Sequence, residues 1–199
     1  MADLTVNGII NTGFAKGFKN ALAIAVNAIL WVLTIWIPYI NVGTTIGMFA
    51  GLAAKASRDE QISYTEIFNP AYRRQMGEFF LCAGFMYIGT VVGFLMFIIP
   101  GYVIAIAWSL SLYLVVDKGM NPIEAISKSN NVTYGNKWTI FGGMFVLSLI
   151  VFIVIAVVGW ILSKIAVFLS VIVVIVLLLI AASIFTCAWG YIYGSLTKE

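Results

Sequence analysis

Four long stretches of this chain carry no Asp, Glu, Lys or Arg: residues 20–54, 79–116, 138–163 and 165–197. A bilayer's hydrocarbon core is about 30 Å thick, and one helix needs roughly 20 apolar residues to cross it. The first two stretches exceed one crossing and contain turn residues, so each is a candidate helical hairpin. Composition points the same way, with 62% of residues hydrophobic and 10% charged, against about 25% charged in soluble domains. Residues 1–199 are therefore expected to form a single integral membrane domain.

Turn signals divide the stretches into six spans, about 20–37, 43–56, 77–99, 102–116, 138–159 and 166–193. Pro38 ends the first, Pro100-Gly101 separates the third from the fourth, and residues 160–164 join the last two. The segment 43–56 covers only about 21 Å and reads either as a short span or as a re-entrant half-helix. Upstream, Ile9, Ile10, Phe14 and Phe18 recur at helical spacing. Residues 4–18 are thus expected to lie in the headgroup plane, with a frayed tail as the alternative. Asp3 stands where a signal peptide carries its positive region, so this segment is expected to be retained.

The positive-inside rule sets the orientation. With six spans, Lys16, Lys19, Lys55, Arg58, Arg73, Arg74, Lys118, Lys128, Lys137 and Lys198 share one side and only Lys164 is on the other. Both termini are expected to face the cytoplasm of a cell whose inner membrane holds the protein. Treating 43–56 as re-entrant breaks this parity, which favours a true span. Trp36, Tyr39, Tyr102 and Trp160 then mark the outer boundary, and Trp138, Trp189, Tyr191 and Tyr193 the inner one. On the cytoplasmic side, Asn121-Pro122 with Glu124 has the form of a capped helix start. Polar stretches at 4–18, 64–77 and 122–135 each precede a hairpin, which reads either as a threefold repeat or as the ordinary regularity of a six-span chain.

The chemistry open to such a chain is narrow. Histidine is absent, which removes the commonest general base and most zinc sites, and no nucleophile-elbow or phosphate-loop motif occurs. The acids Asp59, Glu60, Glu66, Glu78, Asp117 and Glu124 fall at helix ends or loops among basic residues, where solvated ion pairing is expected. Cys82 and Cys187 sit in apolar helices and read as small packing residues. No cofactor, metal, catalytic residue or nucleic-acid partner is expected. Within the spans, Asn27, Ser109 and Ser111 are the best candidates for a polar path, with hydrogen bonding between helices as the alternative. The rows Gly43-x-x-x-Gly47-x-x-x-Gly51 and Gly89-x-x-x-Gly93 remove side chains where another backbone can approach. They fit helix packing within the chain or contact within an oligomer.

Several runs carry a family likeness. They are Gly13-Phe14-Ala15-Lys16-Gly17-Phe18-Lys19-Asn20, Ile62-Ser63-Tyr64-Thr65-Glu66-Ile67-Phe68, Ile99-Pro100-Gly101-Tyr102, Val116-Asp117-Lys118-Gly119, Pro122-Ile123-Glu124-Ala125-Ile126-Ser127-Lys128-Ser129 and Gly135-Asn136-Lys137-Trp138. Over nearly its whole length the chain resembles the polytopic prokaryotic family that includes the membrane domain of glycerophosphoryl diester phosphodiesterases and many stand-alone members of unknown function. The resemblance implies a six-span helical fold. Because the phosphodiesterase's soluble catalytic domain is missing, it implies no hydrolase activity.

The expected architecture is an all-α, polytopic membrane bundle of six transmembrane helices in three hairpins, with amphipathic helices at the cytoplasmic interface. The expected role is that of a non-enzymatic scaffold or accessory subunit, with a second copy or another membrane protein as partner. Arg58, Arg73, Arg74, Lys128 and Lys137 are expected to meet anionic lipid headgroups, each contributing about 1 kcal/mol near the surface. The alternative is a passive channel or permease lined by Asn27, Ser109 and Ser111.

Overall fold

A computed structural model describes residues 4–197; Asp3 and Lys198, used above for retention and orientation, lie outside them. The described residues are helical and contain no strand. In chain order the helices are α1 (Val6–Thr34), α2 (Pro38–Ile46), a π-helical turn (Gly47–Gly51) and α3 (Leu52–Ser57). A short 3-10 turn (Glu66–Phe68) leads into α4 (Ala71–Arg74), α5 (Met76–Met96), α6 (Ile98–Ala107) and α7 (Ser111–Lys118). The chain then continues through α8 (Pro122–Thr133), α9 (Lys137–Ser163) and α10 (Val167–Thr197).

Five segments are long and apolar enough to cross a membrane: α1, α5, the α6–α7 pair, α9 and α10. The expected span 43–56 is not among them. Those residues belong to a continuous rod, α2–π turn–α3, which begins at Pro38 and ends at Ser57. Pro38 occupies the first helical position, where its missing N–H has no partner to lose and its fixed φ suits the helix. The same logic corrects the second turn. Pro100 lies inside the first turn of α6, and the chain reverses at Phe97, whose backbone is extended. The expected headgroup-plane helix 4–18 and first span are also one helix. Thr5 caps it, its hydroxyl accepting from Gly8 N at 3.0 Å, and nothing between Phe18 and Asn20 interrupts the backbone.

Three elements form the centre. The rod runs antiparallel to α1, since the Thr34 and Thr44 hydroxyls are 3.4 Å apart at one end and Lys16 pairs with Asp59 at 2.6 Å at the other. Helix α10 also runs antiparallel to α1. Gly17 permits this approach, because a Cβ there would sit 2.7 Å from Ile184 Cα, and the Ser183 hydroxyl donates to Gly17 O at 2.8 Å. Gly190 faces Ala53 and Ser57 of α3. Helix α9 covers the outer side of α1 and α10, and α5–α6 attach through α7 and α8.

The α6–α7 pair bends at Trp108–Leu110 instead of running straight through 102–116. Helix α8 replaces the interrupted helical bonds: Leu110 N donates to the Ser129 hydroxyl at 3.2 Å, and that hydroxyl donates to Ala107 O at 2.7 Å. In an apolar surround a broken helix persists only where such substitutes exist. At the end of α7, Gly119 adopts φ +65 as a left-handed cap.

Two contacts join residues assigned by sequence to opposite boundaries. The Arg73 guanidinium lies over the Tyr39 ring, 4.9 Å from its centroid. The Tyr102 ring meets Phe141 at 5.9 Å, one helical turn from Trp138. Residues in contact are not separated by a bilayer, so Arg73 and Tyr102 depart from the expected inner and outer sets.

Candidate functional site

The glycine row of the rod has an occupant from its own chain. A Cβ on Gly47 would stand 2.9 Å from Ile67 Cα and from the Tyr72 ring, one on Gly51 would overlap the same ring, and Gly43 faces the Arg73 side chain. The loop after α3 therefore folds back along the rod, into the channel left by the missing side chains. Gly89 and Gly93 act similarly within the α5–α6 hairpin, receiving Trp108 and Gly101 with Ile104.

Asn27 clamps this loop. Fully buried, it donates through Nδ2 to Ala23 O and Ser63 O, both at 2.8 Å, and accepts from Ile67 N at 3.0 Å through Oδ1. A buried amide with both ends satisfied matches the irregular backbone that the loop brings into an apolar surround. The proposed polar path does not assemble: Asn27 bonds to the loop, and Ser109 donates to Ile106 O at 2.8 Å in its own chain segment. Ser111 is fully buried, and its hydroxyl has no hydrogen-bond partner among the described residues.

Glu66 corrects the expectation that the acids are solvated. It is only 6% exposed. Its carboxylate accepts from Lys55 Nζ at 2.9 Å, from the Tyr72 hydroxyl at 3.1 Å and from Asn69 Nδ2 at 3.4 Å. Burial is tolerated because the charge is paired and its remaining lone pairs are used. Burial, and then the neighbouring Glu66 charge, push the Tyr72 phenol above its ordinary range, so it stays a neutral donor.

A second polar cluster closes the end of the bundle where α3, α7 and α10 meet. Arg58 grips Glu60 with two nitrogens, at 2.5 and 3.2 Å, and also pairs with Asp117. The other Asp117 oxygen accepts from the Tyr193 hydroxyl at 2.7 Å, and Lys118 Nζ donates to Thr197 O at 3.2 Å. The Glu60 hydrogen bond holds the Arg58 guanidinium above its ordinary value, and the reciprocal bond holds Glu60 below the usual carboxylate range. The cluster ties two loops to the last turns of α10. Asp117 and Tyr193, read from sequence as an ordinary loop acid and a boundary aromatic, are its central members.

The five cationic residues expected at lipid headgroups have different surroundings. Arg58 is engaged as above and Arg73 lies on Tyr39, while Lys137 Nζ donates to Asn130 Oδ1 at 3.3 Å. Lys128 is half-buried and Arg74 is exposed. A groove of about 680 Å³ opens between α1, the rod and α10.

Compared with family models, with curated proteins and with solved structures, the chain gives no match in any of the three.

Proposed function

We propose that this chain is a non-enzymatic integral membrane protein that scaffolds or assists another membrane component, as a homo-oligomer or beside a different membrane protein. One observation carries the reading: two of the three polar side chains that a solute path would need serve internal packing, with Asn27 spent on the Ser63–Ile67 loop and Ser109 on its own backbone. The resemblance to the polytopic membrane family, which implies a helical membrane fold, agrees with this role.

In this reading both termini face the cytoplasm. Its support is the gathering of Lys16, Arg58 and Lys118 at one end of the bundle through their pairings with Asp59, Asp117 and Thr197, with Lys164 at the junction of α9 and α10. Cysteine placed at exposed Ser163 should label from outside and at exposed Asn121 only from within. The buried Cys82 and Cys187 keep the background low. Labelling of both from one side overturns the orientation. In proteoliposomes the protein should release trapped ions and small neutral solutes no faster than protein-free vesicles. Saturable release above that baseline would replace the scaffold with the channel.

A further inference from the structure

The groove between α1, the rod and α10 is preformed and graded from apolar to polar. Trp31 forms part of its wall with its polar atom turned away, the indole N–H donating to Thr45 Oγ1 at 3.0 Å while the ring stands edge-on to Phe49 at 5.4 Å. Thr186 contributes little polarity, because its hydroxyl donates to Ala182 O at 2.8 Å. Met48, Phe49 and Leu179 complete an apolar trough. Only one end changes character, where Tyr113 and Trp189 line the groove. The Tyr113 ring also lies 5.6 Å from that of Tyr193, whose hydroxyl bonds to Asp117 of the Arg58 pair.

Shape and size select the occupant. The groove follows α10 from Ile175 to Trp189, roughly 21 Å of helix at 1.5 Å per residue. Its volume of about 680 Å³ lies in the range of small-molecule sites, about 300–1,000 Å³. A single flexible hydrocarbon chain fits the trough, and a polar head fits the Tyr–Trp end, the kind of boundary where amphipathic rings settle.

We propose that this groove binds one acyl chain of a membrane lipid, with the lipid's headgroup held at the Tyr113–Trp189 end beside the Arg58–Asp117 pair. The site rests on the membrane reading of α1 and α10 and is independent of the scaffold role.

The test uses the full chain reconstituted in vesicles of phosphatidylethanolamine and phosphatidylglycerol, doped with a phospholipid that carries a diazirine in its acyl chain. Irradiation in the vesicle should place adducts both on the groove residues Met48, Phe49 and Leu179 and on the outward-facing Phe152 and Phe168, which are 69% and 79% exposed. After exchange into detergent before irradiation, the groove adducts should persist and the outward ones should be lost. Ala182→Trp, which fills the trough, should abolish the groove adducts alone. Two outcomes overturn the proposal: groove adducts that wash out as readily as those on Phe152, or a photo-methionine at position 48 that captures a second polypeptide in native membranes instead of lipid. The wild-type exchange experiment decides even where Ala182→Trp does not fold. Either failure leaves the flux and labelling results standing.

Discussion

The seam of α1, the rod and α10 and the α5–α6 hairpin are similarly apolar in sequence, yet they are held in opposite ways. In the seam a glycine row is filled by Ile67 and Tyr72, a fully buried Asn27 satisfies a loop backbone, and Glu66 is buried against Lys55. In the hairpin, Gly77 and Gly84 look onto open space, while Leu95 and Ile99 are 81% and 74% exposed. Lipid is as apolar as leucine, so burying apolar surface does little to choose one packing over another within a bilayer. Close approach at glycine and satisfied polar groups do choose. The seam has both devices, whereas the hairpin relies on Gly89, Gly93 and the Tyr102–Phe141 contact near its tip.

The largest effect that separates the two regions is expected from their acids. Glu66→Ala removes one partner of a buried ion pair and strands Lys55 and the Tyr72 hydroxyl, a change that costs about 3–5 kcal/mol in such pairs. Lys55 keeps a quarter of its side chain exposed, which places the expected loss at the lower end. Glu78→Ala, at an exposed site on α5, should stay within about 0.5 kcal/mol. Reversible unfolding of both variants in one detergent measures the difference. Equal losses would mean that the seam is no better specified than the hairpin.

Glycine substitutions should divide the regions by a smaller margin. Gly51→Leu drives a side chain into the Tyr72 ring and should cost about 1–3 kcal/mol, part of which Tyr72→Ala recovers in the double variant. At Gly84 an added Cβ has no atom within 4 Å, so Gly84→Leu should be neutral, or gain up to about 1 kcal/mol from helix propensity. An altered oligomer mass in Gly51→Leu, without rescue by Tyr72→Ala, would move the row's role from the chain's own loop to a neighbouring copy.

How much of this was legible depended on the distance over which each feature is decided. The Asn121 cap is local, with its side chain accepting from Glu124 N at 2.9 Å, and it was read correctly. The apolar helices were equally plain, because absence of charge is itself the signal. Proline was ambiguous: Pro38 and Pro100 interrupt a helix or begin one with the same chemistry, and tertiary packing decided for the second. Asn27 finds its partners at Ser63 and Ile67, across a chain reversal. Periodicity along one helix carries no mark of a loop that returns beside it. Glu66 was misread for the same reason, since its neighbours Tyr64 and Thr65 suggest a wet loop while Lys55 and Tyr72 lie on other elements.

The smallest expected effect concerns acid sensitivity, which should belong to the seam's polar end and not to the hairpin. Glu60 is held below the usual carboxylate range by its bond to Arg58, so its favourable contribution is present above the ordinary value of about 4.3 and is lost as pH falls through the lowered one. Both side chains are partly exposed, at 40% for Arg58 and 44% for Glu60, which limits this contribution to about 0–1 kcal/mol. Below about pH 4, amide protection corrected for intrinsic rate should therefore fall at residues 58–61. Residues 85–99, which contain no titratable acid or base apart from the Tyr87 phenol, should keep theirs. A fall confined to the hairpin would show that the charged cluster does not hold that end of the bundle. A fall in the loop that Arg58→Lys reproduces at neutral pH would locate the restraint in the two-nitrogen grip, since a lysine ammonium supplies charge without that fork.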